Sequence, residues 1–210
     1  MLHIITPLYR FENIEKIYNS IFMDEDIRWH ICYSSEKELP NLNFLNEDKR
    51  IILYKVDCLD TEAFAKRNAA LEKISDGYFC FLDDDTIFHE NMYIKYKECQ
   101  DNGFTGMLIG QQLDSKNKLR LLANQPIHRG IDTGNVLCHH SAIKNLRYPS
   151  HHDTGKNDKD YLFWKSIFEF FGKKCRYADI PISYYNMISK INKQVVVDKN
   201  TAKILRVKNI

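Results

Sequence analysis

The sequence predicts an α/β protein, a mainly parallel sheet flanked by helices and folded as one domain. Short apolar runs rich in β-branched and aromatic residues alternate with segments of helical periodicity. Within those runs successive residues are apolar, which leaves no wet face and calls for cover on both sides of the sheet. A chain of 210 residues, 44% of them hydrophobic, is long enough for a substantial core and short enough to be a single domain.

In chain order, "LHIIT" reads as a buried strand that ends at Pro7. "ENIEKIYNSIF" places Ile14, Ile17, Tyr18 and Ile21 on one helical face, with Asn13 as its cap. "RWHICYSS" and "RIILYKVD" are the second and third strands. "TEAFAKRNAALEKIS" is a helix capped by Thr61, and Asp76-Gly77 is the turn into a fourth strand, "YFCFL". "TGMLIGQQLD" is a further strand, and "IDTGNVLCHHSAI" gives a turn, a strand and the start of a helix. "NDKDYLFWKSIFEFFG" is a strongly apolar helix opened by two carboxylates and stopped at Gly172. "CRYADIPISYYNMI" supplies further short strands. Residues 1–188 are read as the domain and 189–210 as a basic C-terminal extension.

Composition removes several classes of function. A formal net charge of +2 provides no strong field toward nucleic acid. No run approaches the roughly 18 apolar residues of a membrane span, and the N-terminus has no basic n-region or small-residue cleavage site. Cys32, Cys58, Cys80, Cys99, Cys138 and Cys175 are scattered and never form CxxC, as expected of a reduced, cytoplasmic protein with buried thiols.

Against that background "YFCFLDDDTIFHE" stands out, because Asp83, Asp84 and Asp85 follow the fourth strand directly. No cation lies nearby in sequence to relieve their repulsion. In parallel sheets ligands bind at the carboxyl ends of strands, and Pro7 to Arg10 and Tyr33 to Ser35 lie at such ends too. An acidic cluster anchored there suits a divalent cation carrying a diphosphate, since Mg²⁺ or Mn²⁺ takes one or two carboxylates plus phosphate oxygens.

At these residues the chain resembles the GT-A glycosyltransferases, especially the family-2 type. The family pattern P-x-Y-x-R is matched at Pro7 and Tyr9. A-R-N-x-G, a spacer, G-x-Y, four apolar residues and D-x-D are matched at Arg67, Asn68, Gly77, Tyr78, Asp83 and Asp85. "NDKDYLFWK" is similar to the family's E-D-x-D-L followed by a basic residue, which places its two aspartates at Asp158 and Asp160. The resemblance covers about residues 1 to 165. It implies a Rossmann-like GT-A sheet and transfer of a hexose from a nucleotide sugar, a UDP-sugar, with inversion, to an acceptor hydroxyl on a glycan, lipid-linked carrier or protein. It also implies Mn²⁺ or Mg²⁺ on Asp85 and Asp83, with Asp83 or Asp84 near the ribose and Asp158 as the base. Pro7, Leu8, Tyr9, Arg10, Tyr33, Arg67, Asn68 and Asp132 are the remaining donor-binding candidates. The chain departs from the pattern after its second strand, where "CYSSEK" stands in place of the acid that reads uracil; Tyr9 or Tyr33 could stack on the base there.

Plain structural roles compete with several of these. Asp158 could simply oppose the helix dipole, Asp153 or Asn157 could be caps, Arg67 could be a surface residue, and Asp132 could form a turn. Cys138 to His140 point alternately across a strand, which does not suit a shared metal. The loop "HHD", His151 to Asp153, is a candidate acceptor contact, and the aromatics from Tyr161 to Phe171 are core. Three other functions fit parts of the pattern: a nucleotide-sugar or glycan-binding module without catalysis, a haloacid-dehalogenase-type phosphatase and a nucleotidyltransferase. The phosphatase would carry its D-x-D after the first strand of the domain, whereas here it follows the fourth.

Overall fold

The computed structural model describes residues 1–21, 24–126, 131–144, 146–150 and 159–188. Its centre is an eight-stranded sheet built from β1 (Leu2–Pro7), β2 (Ile27–Ser34), β3 (Ile51–Val56), β4 (Tyr78–Phe81), β5 (Met107–Leu113), β6 (Leu119–Leu121), β7 (Val136–His139) and β8 (Cys175–Tyr184). The helices are α1 (Ile14–Ser20), α2 (Asn43–Glu47), α3 (Ala63–Leu71), α4 (Glu90–Asp101) and α5 (Lys159–Phe171). The strands follow the order β3-β2-β1-β4-β7-β5-β6, with β8 also paired to β5. Pairs β1–β2, β1–β4, β2–β3 and β5–β8 are parallel, whereas β7 runs antiparallel between β4 and β5. Met107 pairs with both Cys138 and Cys175, and Gln112 with both Leu121 and Ser183. Strands β7 and β6 therefore share one edge of β5, and β8 covers the other.

Alternation along each strand sends side chains into two separate cores. Leu2, Ile4, Trp29 and Cys80 meet Ile14, Ile17, Met92 and Tyr96 of α1 and α4 on one face. Ile5, Phe79, Phe81 and Ile109 meet Ala70, Leu71, Phe163, Trp164 and Ile167 of α3 and α5 on the other. Each large side chain so buried contributes about 1.5–3 kcal/mol; Phe163, Trp164 and Phe171 of α5 are core as expected, Tyr161 and Phe168 are partly buried, and Phe170 is exposed. Gly77 enters β4 at φ +65°, and a Cβ there would stand 2.1 Å from the Met1 carbonyl oxygen. Only glycine fits the turn that launches the acid-bearing strand.

Several local expectations are corrected. Glu62, not Thr61, occupies the N-cap of α3, and it makes no side-chain capping bond. Asn13 precedes α1, but its amide Nδ2 donates to the Asp84 carbonyl (2.8 Å) instead of capping the helix. Residues 175–184 form one strand, with register shifts at Gly110/Gln111 and Gln111/Gln112 of its partner. Helices α2 and α4 were not foreseen. The apolar stripe of α4 is only Met92, Tyr96 and Cys99, too sparse to stand out from the charges around it. Asn157, Asp158, the loop His151 to Asp153 and the extension 189–210 lie outside the described residues.

A buried polar chain crosses the amino end of the sheet. His3 Nδ1 and His30 Nε2 are 2.8 Å apart, His30 Nδ1 and the Tyr54 hydroxyl 3.0 Å, and His3 Nε2 and Asp76 Oδ1 3.1 Å. Burial lowers both histidine pKa values, that of His30 to about 3. Between the ordinary 6.5 and about 3 the unfolded chain therefore binds protons that the folded chain refuses. Stability is complete above that window and is lost as pH falls through it, by up to about 1.4 kcal/mol per pH unit for His30, with His3 acting in the same direction. The melting temperature is expected to drop from pH 6.5 to pH 5, and His30→Gln is expected to flatten that slope. An unchanged slope in the variant would assign the pH dependence to other groups.

Candidate active site

The carboxyl ends of β1 and β4 face a cleft of about 360 Å³ lined by Pro7, Tyr9, Arg10, Thr61, Arg67 and the three aspartates. The acids occupy a tight turn, closed by Thr86 N–H donating to the Asp83 carbonyl (3.3 Å). The turn sends the three carboxylates in three directions.

Asp84 points inward and is 2% exposed. Its Oδ2 accepts the backbone N–H groups of Tyr9 and Arg10, both at 2.6 Å, and its Oδ1 accepts Arg10 Nη1 at 2.6 Å. Burial raises its pKa, and the Arg10 and Tyr9 backbone donors and the guanidinium pull it back. Asp84, one of the two carboxylates expected near the ribose, is thus spent on joining two loops. Asp83 turns sideways, where Oδ1 accepts Arg67 Nη2 (2.7 Å) and Oδ2 accepts the Thr133 hydroxyl (3.1 Å). Asp85 meets Arg10 Nη1 at a longer 3.4 Å. With its amide oriented to donate, Asn186 stands 3.0 and 3.3 Å from the two Asp85 oxygens, and Ile188 N–H donates to the Asp85 carbonyl (2.8 Å). Burial first, then the charge of Asp83, raises the Asp85 carboxyl pKa to about 6.

Two arginines distant in sequence thus supply the positive charge that the neighbouring residues lack. Arg67 is buried against the rings of Tyr148 (4.8 Å) and Phe81 (5.3 Å). Burial works against its charge, and Tyr148, Asp83 and Asp160 more than offset it. Arg67 is a wall of the site, not a surface residue of its helix.

The other candidates are placed as follows. Leu8 is core, and its carbonyl accepts Lys66 Nζ (2.8 Å). Tyr33 packs edge-on to Phe11 with ring centroids 6.4 Å apart. Asn68 holds the backbone of Tyr148, accepting its N–H (2.7 Å) and donating to its carbonyl (3.0 Å). Asp132 caps the 3₁₀ turn Thr133–Asn135 and pairs with Arg120 (2.8 Å). None of these four side chains lines the cleft. Asp160 opens α5 with its carboxylate hydrogen-bonded to the Tyr148 hydroxyl, and burial raises its pKa.

Lys66, Asp60 and Lys37 were missed by sequence reasoning. The Lys66 ammonium is fully buried, 3.6 Å from the Tyr9 ring centre, and bonded to the Asp60 carboxylate (3.1 Å). Lys37 reaches the other Asp60 oxygen (2.6 Å) and the Tyr9 carbonyl (3.3 Å). The inner face of the Tyr9 ring is therefore braced by a cation, while burial first and then the nearby acids, against Arg67, raise the pKa of the Tyr9 hydroxyl.

A Mn²⁺ or Mg²⁺ ion takes one or two carboxylates and completes its shell with phosphate oxygens and water. Asp85 fits that demand: it lines the cleft, and among the described residues its one cationic contact is the long one to Arg10. Asp83 is more exposed, at 38%, and already accepts Arg67 and Thr133. Among the described residues no group of three or more His, Cys, Asp or Glu is arranged to hold a metal alone, so phosphate oxygens would have to supply the rest. Nor is any described helix long and apolar enough to cross a membrane.

No protein-family model and no curated protein matches the sequence. Solved structures do match the fold. Residues 1–349 of S. aureus TarS, in complex with UDP-GlcNAc, superpose with a TM-score of 0.69 at 12% identity, over 88% of this chain and 58% of that one. The UDP complex gives 0.64 at 13% identity over 80% and 55%, and the structure titled by its residue range alone gives 0.65 at 12% over 85% and 58%. This chain thus spans little more than half the length of those chains. TarS is a GT-A-type glycosyltransferase, and the sheet described here, with acids at the end of its fourth strand, has the GT-A fold.

Proposed function

We propose that the protein is a metal-dependent glycosyltransferase that moves a hexose from a nucleotide-sugar donor, a UDP-sugar, to an acceptor hydroxyl with inversion. The observation that carries this reading is the placement of Asp85, a carboxylate whose one described cationic contact is long, at the carboxyl end of β4 in the same cleft that the braced ring of Tyr9 lines from the end of β1. The UDP and UDP-GlcNAc complexes of TarS support the choice of donor.

In this reading Tyr9 offers its outer face to the base, and Arg67 and Arg10 present positive charge to the diphosphate side of the cleft. Asp85, with Asp83, would hold Mn²⁺ or Mg²⁺, which supplies Lewis-acid neutralisation of the departing diphosphate. Asp158, two residues before the buried Asp160, is the proposed base that takes the acceptor proton. The acceptor is a hydroxyl of a glycan, a lipid-linked carrier or a protein.

UDP with Mn²⁺ at about 100 times its dissociation constant is expected to stabilise the protein by about 2.7 kcal/mol, a rise of roughly 5–10 °C in melting temperature. EDTA and Asp85→Ala should each remove most of that rise while the ligand-free melting temperature stays near wild type. Equal stabilisation with and without metal would reject the metal site, and no response to any nucleoside diphosphate would reject the donor assignment.

Asp158→Asn is expected to keep metal-dependent UDP binding and to lower transfer by about 10²-fold or more, as measured by initial rates on an accepted substrate. Loss of UDP binding in parallel with turnover would move the residue to the donor site. Near-normal turnover would exclude it as the base.

A further inference from the structure

Behind the acid turn lies a second, much smaller cavity of about 20 Å³, at the seam where residues 86–89, Gly134 and β8 meet. Its lining is mostly apolar, but Thr86 from one side of the seam and Ser183 of β8 from the other are part of it. The hydroxyls of both are buried and have no hydrogen-bond partner among the described protein atoms. Buried hydroxyls are nearly always satisfied, by protein or by ordered water. Two unsatisfied ones sharing a single cavity is therefore a specific observation.

His89 supplies a third polar group to the same lining. Its Nδ1 accepts the Asn91 N–H at 3.2 Å as the cap of α4, which leaves the proton of the neutral ring on Nε2. Burial keeps that ring neutral. The lining thus holds hydroxyls and an N–H and no formal charge, so it suits a small neutral ligand and not a metal ion or an anion. The volume matches one water-sized probe, and a buried water needs two to four polar partners.

We propose that this cavity binds one structural water, bridged between the Thr86 and Ser183 hydroxyls with His89 Nε2 as its third partner. The position gives that water a consequence. Thr86 directly follows Asp85, while Ser183 lies at the end of the strand whose continuation brings Ile188 N–H to the Asp85 carbonyl. Gly134 adjoins Thr133, which holds Asp83. The water therefore joins residues 86–89 to β8, the two segments that flank Asp85, beside the turn that carries Thr133, and it does so whatever donor the cleft accepts.

A crystal structure of the full chain at about 1.6 Å resolution tests this directly. The expected result is one ordered water within hydrogen-bond distance of both hydroxyls, and no such water in a Thr86→Val/Ser183→Ala double variant. Thermal melts provide a second reading if a variant fails to crystallise. Because either single variant leaves a partner of the water unpaired, the double variant should lose less melting temperature than the two singles added together. A dry cavity in wild type, or hydroxyls bonded directly to protein atoms, overturns the proposal. Strictly additive melts in the absence of a crystal structure also overturn it.

Discussion

One buried carboxylate, that of Asp84, defines the cleft. The loops after β1 and β4 leave neighbouring parallel strands, and past the last ladder bond nothing in the sheet holds them side by side. The N–H groups of Tyr9 and Arg10 would be left without partners there. Asp84 accepts both and adds the Arg10 guanidinium, and Asn13 reaches back to its carbonyl. Hydrogen bonds to a charged group are worth about 1.5–3 kcal/mol each, so this joint is strong for its size. It also fixes the distance between Tyr9 on one loop and Asp85 on the other, the two sides of the proposed donor site.

The same joint settles the electrostatics. Like charges about 4 Å apart in a partly buried setting repel by roughly 4 kcal/mol at an effective dielectric near 20. The turn relieves this by sending Asp84 inward to Arg10 and Asp83 sideways to Arg67. Charge balance is then nearly complete for two acids and incomplete for the third. Arg67 is clamped between aromatic rings, so its charge sits at a fixed place in the wall.

The architecture was legible because the strands are apolar on both faces, and that pattern has few solutions. The position of the acids was legible for a related reason, since a polar run after a buried strand must lie at the sheet's end. What each acid does there was not. Asp83, Asp84 and Asp85 have the same chemistry and adjacent positions, and only the turn geometry decides which one is buried. Lys66 was invisible for the opposite reason: a lysine on an amphipathic helix ordinarily reaches water, and here its ammonium is enclosed by the Leu8 carbonyl and Asp60. Asn68 was picked out by its place in a motif, yet its amide is occupied with the backbone of Tyr148, 80 residues away. Such long-range pairings leave no trace in local pattern.

The placement of β8 bears on how the chain assembles. Strand β5 is apolar over most of its length, and β8, the last described strand, is the one that covers its outer edge. Until about residue 184 has been made, that edge offers unpaired backbone groups beside a greasy surface, which is a template for pairing with another chain. Ribosomal synthesis leaves this interval open for several seconds at about 5–20 residues per second. The segment that ends the exposure is also the one that brings Asn186 and Ile188 to Asp85. Protection from self-association and completion of the acid site therefore depend on the same segment of chain.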